Sequence, residues 1–325
     1  MTHGIAHTVE HLRAAGEPTR LRILALLRQG ELSVGELVQI LGQSQPRLSH
    51  HLKVLTSAGL AERMPEGARV FYRAASRGPA GHLLDQIFTD IDDDTGALAR
   101  DLGQLEHIRA VRAAKAEAYF NRVAESWDAE RSLHFPNEAI EGAILSIAGE
   151  GPFRQVIDIG TGTGRMLVLL APHARRAEGL DLSHAMLTVA RTRLAEAGLD
   201  HARVRQGDAC ATPFADASAD LVIIHQVLHF IDAPERVLGE ASRVLAPGGR
   251  LVIVDFAPHD IEFLRDQHGH HRLGIGDETL RGWVDGTGLD LAHFRQFQPP
   301  EKRPDGLGVH IWAFDKPASK KEVAA

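Results

Sequence analysis

The stretch Val156-Ile157-Asp158-Ile159-Gly160-Thr161-Gly162-Thr163-Gly164 constrains this chain more than any other. A β-branched run ends in an acid, three glycines follow at alternate positions, and Arg165-Met166-Leu167-Val168-Leu169-Leu170 continues with helical character. That pattern predicts a buried parallel strand, a tight turn and a helix start. Glycine is expected because the turn needs positive φ and because a ligand can then approach without a Cβ in its way. The spacing is D-x-G-x-G-x-G. The dinucleotide fingerprint would require glycine where Arg165 stands, so a pyrophosphate is not the expected ligand.

Further segments follow in an order that extends this reading. Ala177–Asp181 reads as the next strand, with an acid about twenty residues after the glycines, where a carboxylate can accept both ribose hydroxyls of a nucleoside. Val204–Ala209 predicts a third strand tip with Gly207, Asp208 and Ala209. Ala219–Gln226 predicts a fourth strand ending at His225 and Gln226, and Leu245–Val254 a proline-glycine turn into a fifth.

Together these segments resemble class I S-adenosylmethionine (SAM) methyltransferases. The resemblance implies a Rossmann-like domain holding SAM or S-adenosylhomocysteine (SAH). The implied contacts are Asp158, Gly160, Thr161, Gly162 and Gly164 in the first motif, then Asp181, Leu182 and Met186 in "D-x-S…M-L". Gly207, Asp208 and Ala209 would lie at the adenine, with Asp208 taking its amino group, and His225 and Gln226 would follow strand four. Tyr119-Phe120 and Trp127-Asp128 resemble an entry segment in which an aromatic folds over the ligand; packing of Trp127 on the domain face is the alternative.

Charge divides the chain. The net charge is −7, yet residues 1–75 carry nine basic and six acidic side chains, leaving +3 there and −10 in the remainder. Such asymmetry suggests a nucleic-acid-binding module joined to something else. Ser33 and Glu36 read as a capping box for a helix that stops at Gly42. Ser44 is expected to cap the next, with Pro46 in its first turn, so the pair reads as a helix-turn-helix. Leu60–Arg63 and Val70–Arg73 read as a hairpin.

Glu17–Leu24 and Gln43–Leu55 resemble ArsR/SmtB winged-helix repressors over about residues 8–75. The resemblance places the second helix in the major groove of double-stranded DNA. Gln43, Ser44, Gln45, Arg47, Ser49, His50 and Lys53 are the implied contacts, and Arg63 and Arg69 belong to the wing. Amides and Arg47 can pair with base edges, whereas Lys53 is a point charge for phosphate. Leu52 is expected to pack inward; His51 is open between packing and contact. The C-V-C thiolate pair of soft-metal sensors is replaced by Ser33 and Gly35, which excludes sensing through that site.

His3, His7 and His11, and His268, His270 and His271, have spacings that could hold zinc, but exposed surface is the expected setting of both groups and no metal is predicted. The single cysteine, Cys210, excludes an intramolecular disulfide. No apolar run is long enough for a membrane span and no signal peptide is read, so a cytoplasmic protein is expected.

Leu83, Leu84, Ile87, Phe88 and Ile91, then Leu98, Leu102, Leu105, Ile108 and Val111, predict amphipathic helices that serve as core or as a dimer seam. In the resembling repressors this region pairs with its mate, which implies a homodimer on a palindromic operator. Asp92–Asp94 reads as a solvated helix end.

The expected fold class is α/β. A winged helix-turn-helix (1–78) is joined by a helical connector (79–118) to a class I methyltransferase-like domain (119–316) with a mostly parallel seven-stranded sheet, and a disordered tail follows (317–325). The chain lacks the N/D-P-P-Y/F motif of nucleic-acid amino methyltransferases. His225 or His229 could be a base or could touch the methionine moiety, and no catalytic constellation is evident. The combination resembles SAH-responsive ArsR–methyltransferase regulators of SAM-cycle genes. An active small-molecule methyltransferase with an attached DNA-binding domain is the alternative.

Overall fold

The computed structural model describes residues 4–66, 68–89, 91, 96–124, 137–298 and 306–318. The chain divides into two compact units, Met1–Ala114 and Lys115–Ala325.

In the first unit, α1 (Ile5–Ala15) and α2 (Pro18–Arg28) are separated where Pro18 forces a new helix start; the Glu17 side chain caps α2 by accepting from Arg20 N–H at 2.8 Å. α3 (Val34–Leu41) opens on the expected capping box, with Glu36 Oε2 accepting from the Ser33 backbone N–H at 2.7 Å. It closes at Gly42, whose φ of 63° supplies a left-handed cap. α4 (Gln45–Ser57) follows, with Ser44 at the N-cap position; the Ser44 hydroxyl accepts no amide there, contrary to expectation.

The wing is β2 (Ala61–Glu66) paired antiparallel with β3 (Arg69–Ala74). Pairing continues through Pro65 opposite Val70, so both strands run farther than the sequence suggested. A two-residue β1 (Leu32–Ser33) adds to β3 and carries no periodicity by which it could have been read.

The connector helices α5 (Gly78–Thr89) and α6 (Ala97–Val123) contribute Leu84 and Leu105 to the same core as Leu24, Leu48, Leu52 and Leu55. Two arginines fasten α6. Arg22 forms a bidentate pair with buried Asp101, both bonds at 2.6 Å, and Arg112 pairs with Glu36 of the capping box. Val111 is left exposed. The boundary between the units falls within α6. Asp92–Asp94 and Trp127-Asp128 lie outside the described residues, as does the tail from residue 319.

The second unit is a seven-stranded sheet in the order β6-β5-β4-β7-β8-β10-β9. Its strands are β4 (Val156–Ile159), β5 (Ala177–Asp181), β6 (Ala202–Gln206), β7 (Ala219–His225), β8 (Leu245–Phe256), β9 (Asp290–Phe297) and β10 (Val309–Asp315). The first five are parallel, and β10 runs antiparallel to both β8 and β9. β4 and β7 are buried on both faces, which is why they read as apolar runs rather than alternating ones. The order reverses between β4 and β7, and in open α/β sheets ligands bind at the carboxyl ends of the strands beside such a switch point. No helix among the described residues is long and apolar enough to cross a membrane.

Candidate functional site

The glycine turn after β4 is held to β5 by its own backbone: Gly160 N–H and Thr161 N–H both donate to Leu180 C=O, at 2.7 and 2.9 Å. All three glycines have positive φ (76°, 52° and 80° at Gly160, Gly162 and Gly164), as the turn demands. Their reasons for lacking a side chain differ. A Cβ at Gly160 would stand 2.3 Å from Val227 Cγ2, and one at Gly164 would stand 3.1 Å from Ala190 Cβ, so both admit other parts of the protein. Only Gly162 of the three would carry its Cβ into open space.

Gly162 N–H donates to Asp181 Oδ2 at 2.8 Å, and Ser183 N–H donates to Asp181 Oδ1 at 2.8 Å. Burial pushes the Asp181 carboxyl above its ordinary range despite the backbone donors of Ser183, Gly162 and Leu182. A carboxylate beside the open side of Gly162 is chemically suited to accept from a ribose diol, as the nucleoside of SAM or SAH would require. When bound, SAM would supply an electrophilic methyl group; Asp181 and the glycine turn are the residues that would hold its nucleoside.

Asp158 is buried and accepts from the Thr161 hydroxyl at 2.6 Å, a bond that fixes the turn. Gly207 lets Leu180 pack, since its Cβ would stand 2.5 Å from Leu180 Cδ1. Asp208 is exposed and accepts from Cys210 N–H at 2.8 Å; Ala209 is half-buried beside it. Leu182 is 43% exposed, an apolar surface next to Asp181. Met186 is buried in a cluster with Tyr119, Val123 and Ala124, inside the domain. His225 ends β7, and Gln226 follows with a φ of 55° unusual for a side-chain-bearing residue; its N–H donates to Val254 C=O at 2.7 Å.

Tyr119 is buried, with its hydroxyl 2.6 Å from His268 Nδ1, and Phe120 packs edge-on against Phe230 at 4.7 Å between centroids. His268, His270 and His271 are not the exposed group expected from the sequence. His268 meets Tyr119, His270 packs on His229, and His271 lies 3.4 Å from Asp232. No group of residues that could hold a metal occurs among the described residues.

The pair His229–Asp255 went unread in the sequence. His229 Nδ1 lies 2.6 Å from Asp255 Oδ1, with the two side chains 1% and 0% exposed. A signal was present: Asp255 interrupts an apolar run one residue before the end of β8, just as Asp158 does in β4.

In the first unit, α4 separates cleanly. Leu48, His51, Leu52 and Leu55 are buried, whereas Ser44, Gln45, Arg47, Ser49, His50 and Lys53 are exposed. His51 therefore packs: it sits 3.6 Å from Glu17 Oε2, and burial holds its imidazole below the ordinary range. Gln43 is half-buried with its Oε1 enclosed. Arg63 and Arg69 are exposed on the wing.

Residues 17–63 match the model of the bacterial regulatory protein arsR family, and residues 157–253 match that of a methyltransferase domain. A demethylmenaquinone methyltransferase of Clavibacter sepedonicus is 32% identical over 176 residues, covering 52% of this chain and 69% of the relative. One of Thermus thermophilus is 39% identical over 116 residues, covering 35% of this chain and 52% of the relative. The chain thus spans about half to two thirds of the length of these curated relatives. The solved Haloferax volcanii methyltransferase bound to its Trm112 activator has a TM-score of 0.50 and 21% identity over 61% of this chain and 97% of its own, a likeness of fold. The chain belongs to the class I SAM-dependent methyltransferases and carries an arsR-family DNA-binding domain ahead of that fold.

Proposed function

We propose that this protein is a DNA-binding transcriptional regulator, a repressor acting as a homodimer, whose methyltransferase domain senses SAM or SAH and controls genes of the SAM cycle. The observation that carries the reading is one helix serving two cores. Asp101 of α6 is locked to Arg22 in the first unit, while Tyr119 and Val123 of the same helix pack on Met186 in the second. A nucleoside that changes the packing around Met186, close in sequence to Asp181, acts on a helix that also belongs to the DNA-binding unit.

The dimer is supported by α1, where Ile5, Val9 and Leu12 form an exposed apolar stripe at helical spacing, with Ile5 84% exposed. A twofold dimer matches a palindromic operator. To regulate, the nucleoside must bind the DNA-competent and DNA-incompetent states with different affinity; a coupling of about 1–3 kcal/mol, roughly five- to 150-fold, suffices.

The test is binding of the protein to its own promoter, read by fluorescence anisotropy, with SAM, SAH or neither. A nucleoside-dependent change in affinity supports the regulator; identical affinities reject it. A second reading, methyl transfer to a small acceptor, is favoured by the 32% identity to a demethylmenaquinone methyltransferase over 69% of that relative. Turnover with nucleoside-blind DNA binding would select it.

A further inference from the structure

The nucleoside pocket leaves one group of buried side chains unused. Asp255, at the end of β8, accepts from the Phe256 N–H at 2.8 Å as well as facing His229 Nδ1 at 2.6 Å. A carboxylate already accepting from a backbone amide is an acceptor for the imidazole too, so in the neutral ring Nδ1 of His229 carries the proton and Nε2 the lone pair. That Nε2 is fully enclosed and has no hydrogen-bond partner among the described residues. A buried acceptor without a donor is costly, and a site that retains one is suited to a ligand that donates.

Rings surround it. His229 packs on Phe230, His270 and Phe256 with centroids 4.0, 4.3 and 5.0 Å away. Phe256 also meets His259, at 6.3 Å. His259 accepts from Ile261 N–H at its Nδ1, so its own Nε2 is a donor, likewise enclosed and unpartnered among the described residues. Burial holds the His259 imidazole down to about 4, and it is neutral at ordinary pH.

The rings also continue outward without a break. Phe230 meets Phe120 at 4.7 Å, Phe120 meets Tyr119 at 5.5 Å, Tyr119 meets His268 at 5.6 Å, and His268 meets Phe263 at 5.7 Å. Phe263 is 46% exposed. The cluster around His229 is thus joined by aromatic side chains to an exposed ring at the surface. His229 stands two residues after Val227, which packs against Gly160 of the glycine turn.

We propose that this cluster is the acceptor subsite of the domain, taking a small aromatic hydroxyl compound whose proton passes to Nε2 of His229. In that step the O–H bond breaks, an N–H bond forms, and an aryloxide is left beside an imidazolium whose charge Asp255 balances. Asp255 is a positioning residue that fixes the tautomer and stabilises the imidazolium; His259 offers a donor in the same cluster. An aryloxide is the more nucleophilic partner for alkyl transfer. The inference rests on the catalytic reading above.

The test reads proton transfer rather than turnover or DNA affinity, so it can fail independently of both other readings. p-Nitrophenol, whose ionised form absorbs visible light, is titrated with the full-length protein at a pH where the free probe is mostly neutral. The expected result is a saturable rise of the phenolate band, with the His229 Nε2 nitrogen signal moving to the imidazolium position. His229→Gln should abolish the band and Asp255→Asn should weaken it about tenfold or more, with the SAH-induced shift in melting temperature kept as evidence of folding. A wild-type protein that leaves the probe neutral, or a folded His229→Gln protein that ionises it equally well, overturns the proposal.

Discussion

The two units present their binding surfaces in opposite ways. The proposed DNA-reading face of α4 is one side of a single helix. Leu48, Leu52 and Leu55 hold it down, and Arg47, Ser49, His50 and Lys53 project without structural duties. The proposed nucleoside pocket is assembled from the ends of separate strands, and its residues also hold the fold. Gly160 admits Val227, Asp181 ties Gly162 to Ser183, and Asp158 anchors Thr161. Substitutions in the first surface should alter recognition alone, whereas substitutions in the second should alter recognition and stability together.

The sharpest way to break that contrast is Gly160→Val. The position combines a φ of 76° with a Cβ 2.3 Å from Val227 Cγ2, so the change should cost about 3 kcal/mol or more, measured by urea unfolding. A variant as stable as the wild type would mean the glycine turn is not packed as described.

Asp181→Ala comes next. Removing hydrogen bonds to a charged acceptor, at roughly 1.5–3 kcal/mol each, should erase the SAH-induced rise in melting temperature at concentrations that saturate the wild type. The pH sense follows from burial, which raises the Asp181 carboxyl. In the ligand-free protein this carboxyl takes stability away as pH rises from its ordinary range through the raised value. Nucleoside binding, which needs the carboxylate, is full above it and weakens as pH falls through it. Calorimetric affinity that stays flat or strengthens on acidification would remove Asp181 from the pocket.

On the other surface, Arg47→Ala should weaken operator binding by about 1–3 kcal/mol while changing stability by no more than about 0.5 kcal/mol. Equal weakening at every sequence tested would reassign Arg47 from base to phosphate. The smallest effect belongs to Lys53→Ala, which should lower the slope of log affinity against log salt by about 0.9 for each phosphate no longer neutralised. An unchanged slope would take Lys53 off the DNA backbone.

The same contrast explains how much the sequence disclosed. Surfaces made by one element were legible: the capping box at Ser33 and Glu36, the cap at Gly42 and the polar face of α4 follow from local spacing. So did the strand-end motifs around Asp158 and Asp181, because each is contiguous. What stayed hidden was assembled by topology. Asp101 carries no signal in the sequence, and folding sets it against Arg22, 79 residues away. His229 and Asp255 are 26 residues apart, and only the pairing of β7 with β8 brings them together. His268, His270 and His271 lie within four positions yet face three different neighbours, which spacing alone could not foresee.

The central claim is that nucleoside occupancy in the second unit and DNA affinity in the first are one linked equilibrium. The most direct measurement is the operator dissociation constant of the full-length protein, at fixed salt, with saturating SAH and without it. The account predicts a shift of roughly five- to 150-fold, and a reciprocal shift of the same size in SAH affinity when operator is present. Identical dissociation constants, from protein that calorimetry finds loaded with SAH, would contradict it.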